Sequence, residues 1–273
     1  MAGETRPARR PQRWFEFRRP IPAAWVWILG GAAWVVFFGL WEWANASGAA
    51  NDLLLPPPHL VIAKLAELLS GREFLRDILD SILRILGSFV GACVIALPLG
   101  VLMGSFPTVE AFFNPFVSAW RYLPATSFIP VLLMWFGTGE EPKLALLFIG
   151  VVFFLITLTM DHTQQVRGEL IDTAMTLGAN RGQILWTVIV PAAMPNIVVA
   201  MRQMLAVSWT YLVIAEIVAQ TTGIGAMMWR ARRFLHTDEI MAGIILIGFL
   251  GVLFDSLFRL VHRLLFPYLH ERR

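Results

Sequence analysis

Few side chains in this sequence could do chemistry, and the most unusual of them are charges placed inside long apolar runs. Arg202, Glu216 and Asp255 lie deepest in such runs, whereas Arg84 and Arg121 lie nearer the ends of theirs. Burying a charged side chain in hydrocarbon costs at least ~2.5–3.5 kcal/mol. We therefore expect these residues either to pair with one another or to serve a solute path, and the sequence leaves both interpretations open.

Motifs for nucleotide, metal or nucleophile chemistry are absent from the sequence. There is no Gly-x-x-x-x-Gly-Lys-Ser/Thr loop, and Lys64 and Lys143 are the only lysines, so the chain carries no phosphate-binding loop of that type. The histidines show no metal-ligand spacing, Cys93 is the single cysteine, and no Gly-x-Ser-x-Gly elbow occurs. We expect no metal, no cofactor and no ATP hydrolysis on this chain.

Composition indicates a lipid environment for the elements that carry these residues. Hydrophobic residues make up 57% of the 273 residues and charged residues 15%, against about 45–50% and about 25% in soluble domains. The mean hydropathy is +0.66 and the sequence pI is near 9.5. Most basic residues flank apolar runs instead of forming a basic surface with interleaved aromatics, which argues against nucleic-acid binding.

Apolar runs predict an all-α integral membrane protein with about six transmembrane helices, since a spanning helix needs about 20 residues. Pro124 and Pro130 interrupt the third run. The first run could be a signal peptide ending at the Ala44-Asn45-Ala46 sequence, but its length and its tryptophans favour a retained helix. The six runs cover residues 20–41, 85–109, 122–139, 144–160, 188–219 and 240–261.

Charge placement predicts the topology through the positive-inside bias. The Arg-rich segment 1–20 is expected to be cytoplasmic, followed by a transmembrane domain over 21–265 and a cytoplasmic tail over 266–273. The loop 161–187 then faces the cytoplasm. Three arginines between the last two runs fall on the outer side, against the bias, and docking of a partner would explain them: Arg230, Arg232 and Arg233.

Short patterns predict how the helices are arranged. Residues 53–58 form an external Pro-rich connector that leads into an amphipathic surface helix over 59–80. Small residues four apart, Gly87 with Gly91 and Gly100 with Gly104, let helix backbones approach closely. Packing within the chain is favoured over a dimer seam for both pairs.

Aromatic and charged residues beside the broken third run are candidates for lining a solute path. Aromatics at helix breaks can line such a path, although aromatics at the ends of spans also anchor helices at the interface. An anionic solute would favour Arg121 and would require Glu216 to be paired or remote. The candidates are Trp120, Arg121, Tyr122, Trp209, Tyr211 and Glu216.

The most specific signal is the hydrophilic segment 169–181. Its acidic first turn suits the positive end of a helix dipole, and Leu170, Ala174 and Leu177 form one apolar stripe. Gly178 then provides a residue that can end the helix in the left-handed conformation. The next helix is expected to restart near Arg181. A short rigid helix on the cytoplasmic face could transmit force from a soluble partner to the membrane helices.

The same segment contains Asp172-Thr173-Ala174, then Gly178 after three residues, then Val188-Ile189-Val190-Pro191 after nine more. This pattern resembles the cytoplasmic signature of ABC importer permeases with the type I, MetI-like fold. That signature is Glu-Ala-Ala, three residues, Gly, nine residues, Ile-x-Leu-Pro. Asp replaces Glu, Thr replaces Ala, and Val replaces Ile and Leu, while the spacing is retained. Four further motifs resemble the nitrate, taurine, alkanesulfonate and bicarbonate branch: residues 55–58, 121–124 with 129–130, 135–137, and 222–225.

This resemblance implies a multi-pass inner-membrane permease that passes a small solute, of the anionic class named above, from a periplasmic or lipid-anchored binding protein into the cytoplasm. It further implies a homodimer of this chain and two cytoplasmic ATPase subunits that bind ATP and Mg. The residues implied to contact the ATPase are Asp172, Thr173, Ala174, Leu177, Gly178 and Arg181. A membrane-embedded enzyme acting on lipid or prenyl substrates and an ATP-independent channel or secondary transporter are the alternatives.

Overall fold

A computed structural model describes residues 21–48, 51 and 53–269, and every element of regular secondary structure within these ranges is helical. The predicted cytoplasmic segment 1–20 and the last four residues of the predicted tail lie outside the described residues. The chain forms two compact units, residues 1–51 and 52–273.

The first unit contains one apolar helix, α1 (Ala23–Ala46), with a ladder of aromatic rings. Trp34 stacks on Phe38 at a centroid distance of 6.0 Å, and Phe38 stacks on Trp41 at 6.1 Å. At ~1.5 Å per residue this helix is about 36 Å long, enough to cross a bilayer. The predicted first span therefore forms one uninterrupted helix.

The second unit is a helical bundle built around α3, α6 and α9, which pack against one another through the main hydrophobic core. Five helices of the described chain, α1 included, are long and apolar enough to cross a membrane. The helices of this unit are α2 (Pro58–Ser70), α3 (Arg72–Ser105), α4 (Pro107–Arg121), α5 (Ile129–Phe136), α6 (Glu141–Gln164), α7 (Gly168–Thr176), α8 (Arg181–Ile184), α9 (Val190–Ala219), α10 (Ile224–Arg233) and α11 (Thr237–Leu265).

Two predicted boundaries on the N-terminal side of the bundle were wrong. The amphipathic segment 59–80 is not one helix, because α2 ends at Ser70 and Gly71 has an extended backbone before α3 begins. The second span ends at Ser105, since Pro107 starts a new helix and restricts the residue before it to an extended conformation.

The third predicted span does not form a single helix over 122–139. The crossing instead begins before residue 122 with α4, which starts beside the end of α6, where Gln164 Nε2 donates to Glu110 Oε2 at 2.9 Å. The chain then passes through residues 122–124 and a 3-10 turn, Ala125–Phe128, into α5, which lies beside the start of α6 near Lys143. Counting uncharged residues missed this broken crossing because Glu110 and Arg121 both lie within α4.

A π-helical turn, Leu185–Ile189, joins α8 to α9. Pro191 has no N–H to donate to the carbonyl four residues earlier, and its ring would clash with that carbonyl. The helix widens instead, and the Val190 N–H donates to the Leu185 carbonyl five residues back. Helical structure therefore resumes at Arg181 as predicted and continues into the long helix without a gap.

Close contact between α3 and α6 depends on two of the predicted small residues. A Cβ on Gly100 would lie 2.6 Å from Thr159 Cβ and 2.7 Å from the Ile156 carbonyl oxygen, and Gly104 meets the next turn of α6 in the same way. The predicted packing within the chain is thus confirmed for this pair. Gly87 and Gly91 have open space around the position of a Cβ.

We predict that Gly100→Ala destabilises the bundle by about 1–3 kcal/mol, because the added methyl group overpacks the contact between α3 and α6. Gly87→Ala, on the same helix, is the matched control and should be neutral or stabilising by up to about 1 kcal/mol through helix propensity. Thermal unfolding of the detergent-solubilised protein measures both effects. Equal melting temperatures for the two variants would contradict the contact.

Candidate functional site

The short helix α7 ends in the turn that the sequence predicted. Gly178 takes φ +84°, a left-handed conformation that favours glycine. The N–H of Gly178 donates to the Met175 carbonyl at 2.9 Å, and the N–H of Ala179 donates to the Ala174 carbonyl at 3.0 Å. These bonds satisfy carbonyls that the end of a helix leaves free. Asn180 then caps α8 in a reciprocal capping box with Gln183, so the turn is fixed from both sides.

α7 rests on the bundle by a face that differs from the predicted stripe. Ile171 and Ala174 pack against a second hydrophobic cluster formed mainly by residues from the α8 and α9 segments. Leu170 is exposed, and Leu177 is 83% exposed. Of the predicted stripe only Ala174 contacts the bundle, together with Ile171 three residues earlier, and the two leucines on either side of it face outward.

Five of the six residues proposed from the resemblance to contact an ATPase are exposed, namely Asp172, Thr173, Leu177, Gly178 and Arg181. Ala174 is half-buried. The short helix thus combines a fixed base with a free outer surface that carries Leu177 and Met175 as exposed apolar side chains.

At the opposite end of the bundle, Glu216 is fully buried. Its carboxylate accepts hydrogen bonds from Ser81 Oγ at 2.7 Å, Arg84 Nη1 at 2.7 Å and the Gly225 N–H at 2.8 Å. Burying a charge requires both pairing and hydrogen bonding. Glu216 is therefore the centre of an ion network, and of the two interpretations that the sequence left open, Arg84 shows the pairing.

Arg84 extends this network to the connector that precedes α6. It donates to both carboxylate oxygens of Glu140 and to the Thr222 carbonyl, the latter at 3.0 Å. Glu140 also accepts from Lys143 Nζ at 2.9 Å, and Lys143 is fully buried. Partial burial opposes ionisation of Glu140, but the hydrogen bonds and positive charges of Arg84 and Lys143 outweigh it and hold the pKa of this carboxyl below its ordinary value.

The Thr222–Gly225 motif is explained by the same network. Gly223 takes φ +113°, and a Cβ there would fall on the Glu216 carboxylate. A Cβ on Gly225 would lie 2.9 Å from the Val213 carbonyl oxygen. The two glycines let the loop close over the buried acid, and the Gly223 N–H donates to Asp77 Oδ1 at 2.6 Å. Sequence reasoning missed this role, because nothing in the pattern links residue 223 to residue 216.

The three arginines that oppose the positive-inside bias have partners within the chain. Arg230 forms an ion pair with Asp77 at 3.0 Å. Arg232 lies over the Trp229 ring at 4.5 Å from its centroid, and Arg233 donates to Gln220 Oε1 at 2.8 Å. Each of the three thus has a contact within the chain, and docking of a partner at this loop stays a prediction.

The six candidate path residues lie in different settings. Trp120 stacks between Phe128 and Phe153, with both centroid distances 5.4 Å. Trp209 is 6% exposed, and Tyr211 packs against Gly150 on α6. Tyr122 is 79% exposed and Arg121 is half-buried beside it. The remaining member, Glu216, belongs to the ion network. Among the six candidates Tyr122 alone is exposed, whereas Arg121, Trp120 and Tyr211 are half-buried and Trp209 and Glu216 are buried.

Arg202 and Asp255, the other deep charges, pair with each other at 3.3 Å. Asp255 also accepts from Arg259 at 2.6 Å. This confirms pairing as the role of Arg202. Among the residues that the structure describes, no group of three or more His, Cys, Asp or Glu side chains could hold a metal ion.

Comparisons with known proteins agree with this architecture. The family model for the binding-protein-dependent transport system inner membrane component matches residues 96–270. The taurine transport system permease protein TauC of Escherichia coli (strain K12) is 32% identical over 238 residues, covering 85% of this chain and 86% of that protein. The nitrate import permease protein NrtB of Synechocystis is 26% identical and covers 70% of each chain.

In a structural comparison, the MetNI methionine ABC transporter in an inward-facing conformation matches with a TM-score of 0.61 at 20% identity, covering 69% of this chain and 94% of that chain. This likeness shows the MetI-like fold. The chain belongs to the family of binding-protein-dependent transport system inner membrane components. It is a multi-pass inner-membrane transport subunit, and ATP hydrolysis in this family resides on a separate partner.

We predict that Arg84→Met destabilises the protein by about 3–5 kcal/mol, because it leaves the Glu216 charge buried without its cationic partner. The double variant Arg84→Met/Glu216→Leu should lose less than the sum of the single losses. Arg167→Met, which removes an exposed pair with Glu169, is the control and should cost less than about 1 kcal/mol. Denaturation in detergent measures all four variants, and strictly additive losses would contradict the coupling.

We also predict how the stabilising effect of Glu140 depends on pH. Because the folded state lowers the pKa of Glu140, its stabilising effect is complete above the unfolded value of about 4.3 and is lost as the pH falls through the folded pKa. The difference in melting temperature between the wild type and Glu140→Gln should be constant near neutral pH and shrink below about pH 4.3. A difference that grows on acidification would contradict this assignment.

Proposed function

We propose that this chain is the permease of an ATP-driven importer for a small oxyanion of the nitrate, sulfonate or bicarbonate class. Support comes from the names of its relatives: TauC is a taurine transport permease and NrtB a nitrate import permease. SsuC of Bacillus subtilis (strain 168), whose name refers to aliphatic sulfonates transport, is 29% identical over 90% of this chain and 89% of that protein. Four short motifs of that branch also occur in this sequence.

The complex that we propose contains two copies of this chain, two cytoplasmic ATPase subunits that bind ATP and Mg, and an external binding protein that delivers the solute. Both termini, including residues 1–20 and the tail 266–273, would lie in the cytoplasm together with the loop 161–187. The Arg-rich start of the chain and the positive-inside bias support this orientation.

The observation that carries the proposal is the geometry of α7. A helix held by Ile171, Ala174 and the fixed turn at Gly178 can transmit a displacement to α9, because α8 and the π-helical turn continue into that long helix without a break. Leu177 and Met175 offer an apolar surface for a groove on the ATPase. ATP-driven closure of the ATPase pair would thus move the membrane helices through this segment.

We predict that Gly178→Arg abolishes ATP-dependent uptake while the protein still inserts into the membrane. The arginine side chain is strained at φ +84° and projects from the surface proposed to contact the ATPase. Uptake by the reconstituted complex and co-purification of the ATPase are the measurements.

Gly48→Arg is the matched control, since Gly48 also has a positive φ, +72°, and open space around it but lies outside the α7 segment. This variant should keep both uptake and ATPase binding. Wild-type uptake by Gly178→Arg would refute the coupling role of α7.

A further inference from the structure

Arg121 differs from the other arginines placed within the apolar segments. Arg84 pairs with Glu216, and Arg202 pairs with Asp255. In the described part of the chain Arg121 has no carboxylate partner, and its guanidinium lies over the Tyr122 ring at 5.4 Å from the centroid. It therefore remains a cation without a counter-charge.

The depth of Arg121 in the bundle differs from what the sequence suggested. Glu110, near the start of α4, lies beside Gln164 at the end of α6. Trp120, almost three turns later, stacks on Phe153, which lies halfway along α6. Arg121 therefore lies near the middle of the crossing, about 16 Å from Glu110 at ~1.5 Å per residue, whereas the sequence had placed it near the end of a span.

The surrounding structure holds the Arg121 backbone in place and leaves the side chains beside it accessible. Trp120 is clamped between Phe128, after the break, and Phe153, with interplanar angles of 15° and 23°. The N–H groups of Tyr122 and Leu123 donate to the Ala119 and Trp120 carbonyls. Irregular backbone at membrane depth is tolerated where it is buried in protein or lines a water-filled cavity, and Tyr122 is 79% exposed.

We propose that Arg121, with the Tyr122 ring beside it, is the charge-selecting contact for the oxyanion in transit. The proposal rests on the function proposed above and identifies the residue that selects the solute. A guanidinium offers five donors in a planar fork that matches two oxygens of a sulfonate, nitrate or bicarbonate. An unpaired cation at this depth costs free energy. A passing oxyanion would offset that cost while it is bound, whereas a fixed carboxylate would already occupy the guanidinium.

The test uses the complete importer, with its ATPase and binding protein, reconstituted in proteoliposomes and supplied with radiolabelled taurine or nitrate. Arg121→Gln should lower the uptake rate at least about ten-fold, as expected for loss of a charged hydrogen bond. It should not lower the melting temperature, because no ion pair within the chain is lost, and it should leave the ATP hydrolysis stimulated by the binding protein unchanged. Arg121→Lys, which keeps the charge, should recover a substantial part of the uptake.

Arg263→Gln is the matched control, since Arg263 is exposed near the end of α11 and has no ion pair within the described residues. Wild-type uptake by Arg121→Gln would overturn the inference and leave the importer function intact. An equal loss in Arg121→Lys and Arg121→Gln, with a lower melting temperature in both, would show a structural residue and would also overturn it. If the wild-type complex imported with ATP neither of these probes nor radiolabelled bicarbonate, the proposed function and this inference would be overturned together.

Discussion

One buried charge, the Glu216 carboxylate, must be paired and hydrogen-bonded within the chain, and the rest of the structure depends on this constraint. Glu216 has no exposed surface, so its carboxylate must be satisfied entirely by the chain, and three donors supply this, two from α3 and one from the start of α10. The consequence extends to Arg84, Glu140 and Lys143, which neutralise one another at the start of α6. The end of the bundle that carries α10 is therefore tied together by electrostatics as well as by apolar packing.

The two ends of the bundle are built differently. At the α10 end, two glycines admit a loop over the buried acid, and hydrogen bonds cross between α3, α9 and the loop. At the α7 end, a short helix rests on a small apolar cluster and leaves most of its surface free. The first end is suited to act as a rigid body, and the second is suited to bind a moving partner. Glycines on α3 link the two ends by allowing close contact with α6.

Prolines determine where the long helices deviate from regular geometry. Pro191 widens the start of α9 into a π-helical turn without interrupting it. Pro107 ends one crossing and starts the next, and Pro124 accompanies the break that exposes Tyr122. The aromatic stack on Trp120 keeps that break in a single geometry. A break of this kind brings polar groups to membrane depth, which a continuous helix of apolar residues does not do.

The sequence by itself determined the membrane environment, the apolar runs that become the long helices, and the short cytoplasmic-type helix that ends at Gly178. These features depend on local composition and spacing, since hydrocarbon requires long apolar segments and a helix end requires a residue that tolerates a positive φ. Only the tertiary structure decided which charges pair, because Arg84 and Glu216 are separated by 132 residues. It also decided the depth of Arg121 in the membrane. Counting uncharged residues ends a run at each charge and so places Arg121 at the end of a span, whereas the stacking of Trp120 on Phe153 places it halfway along α6.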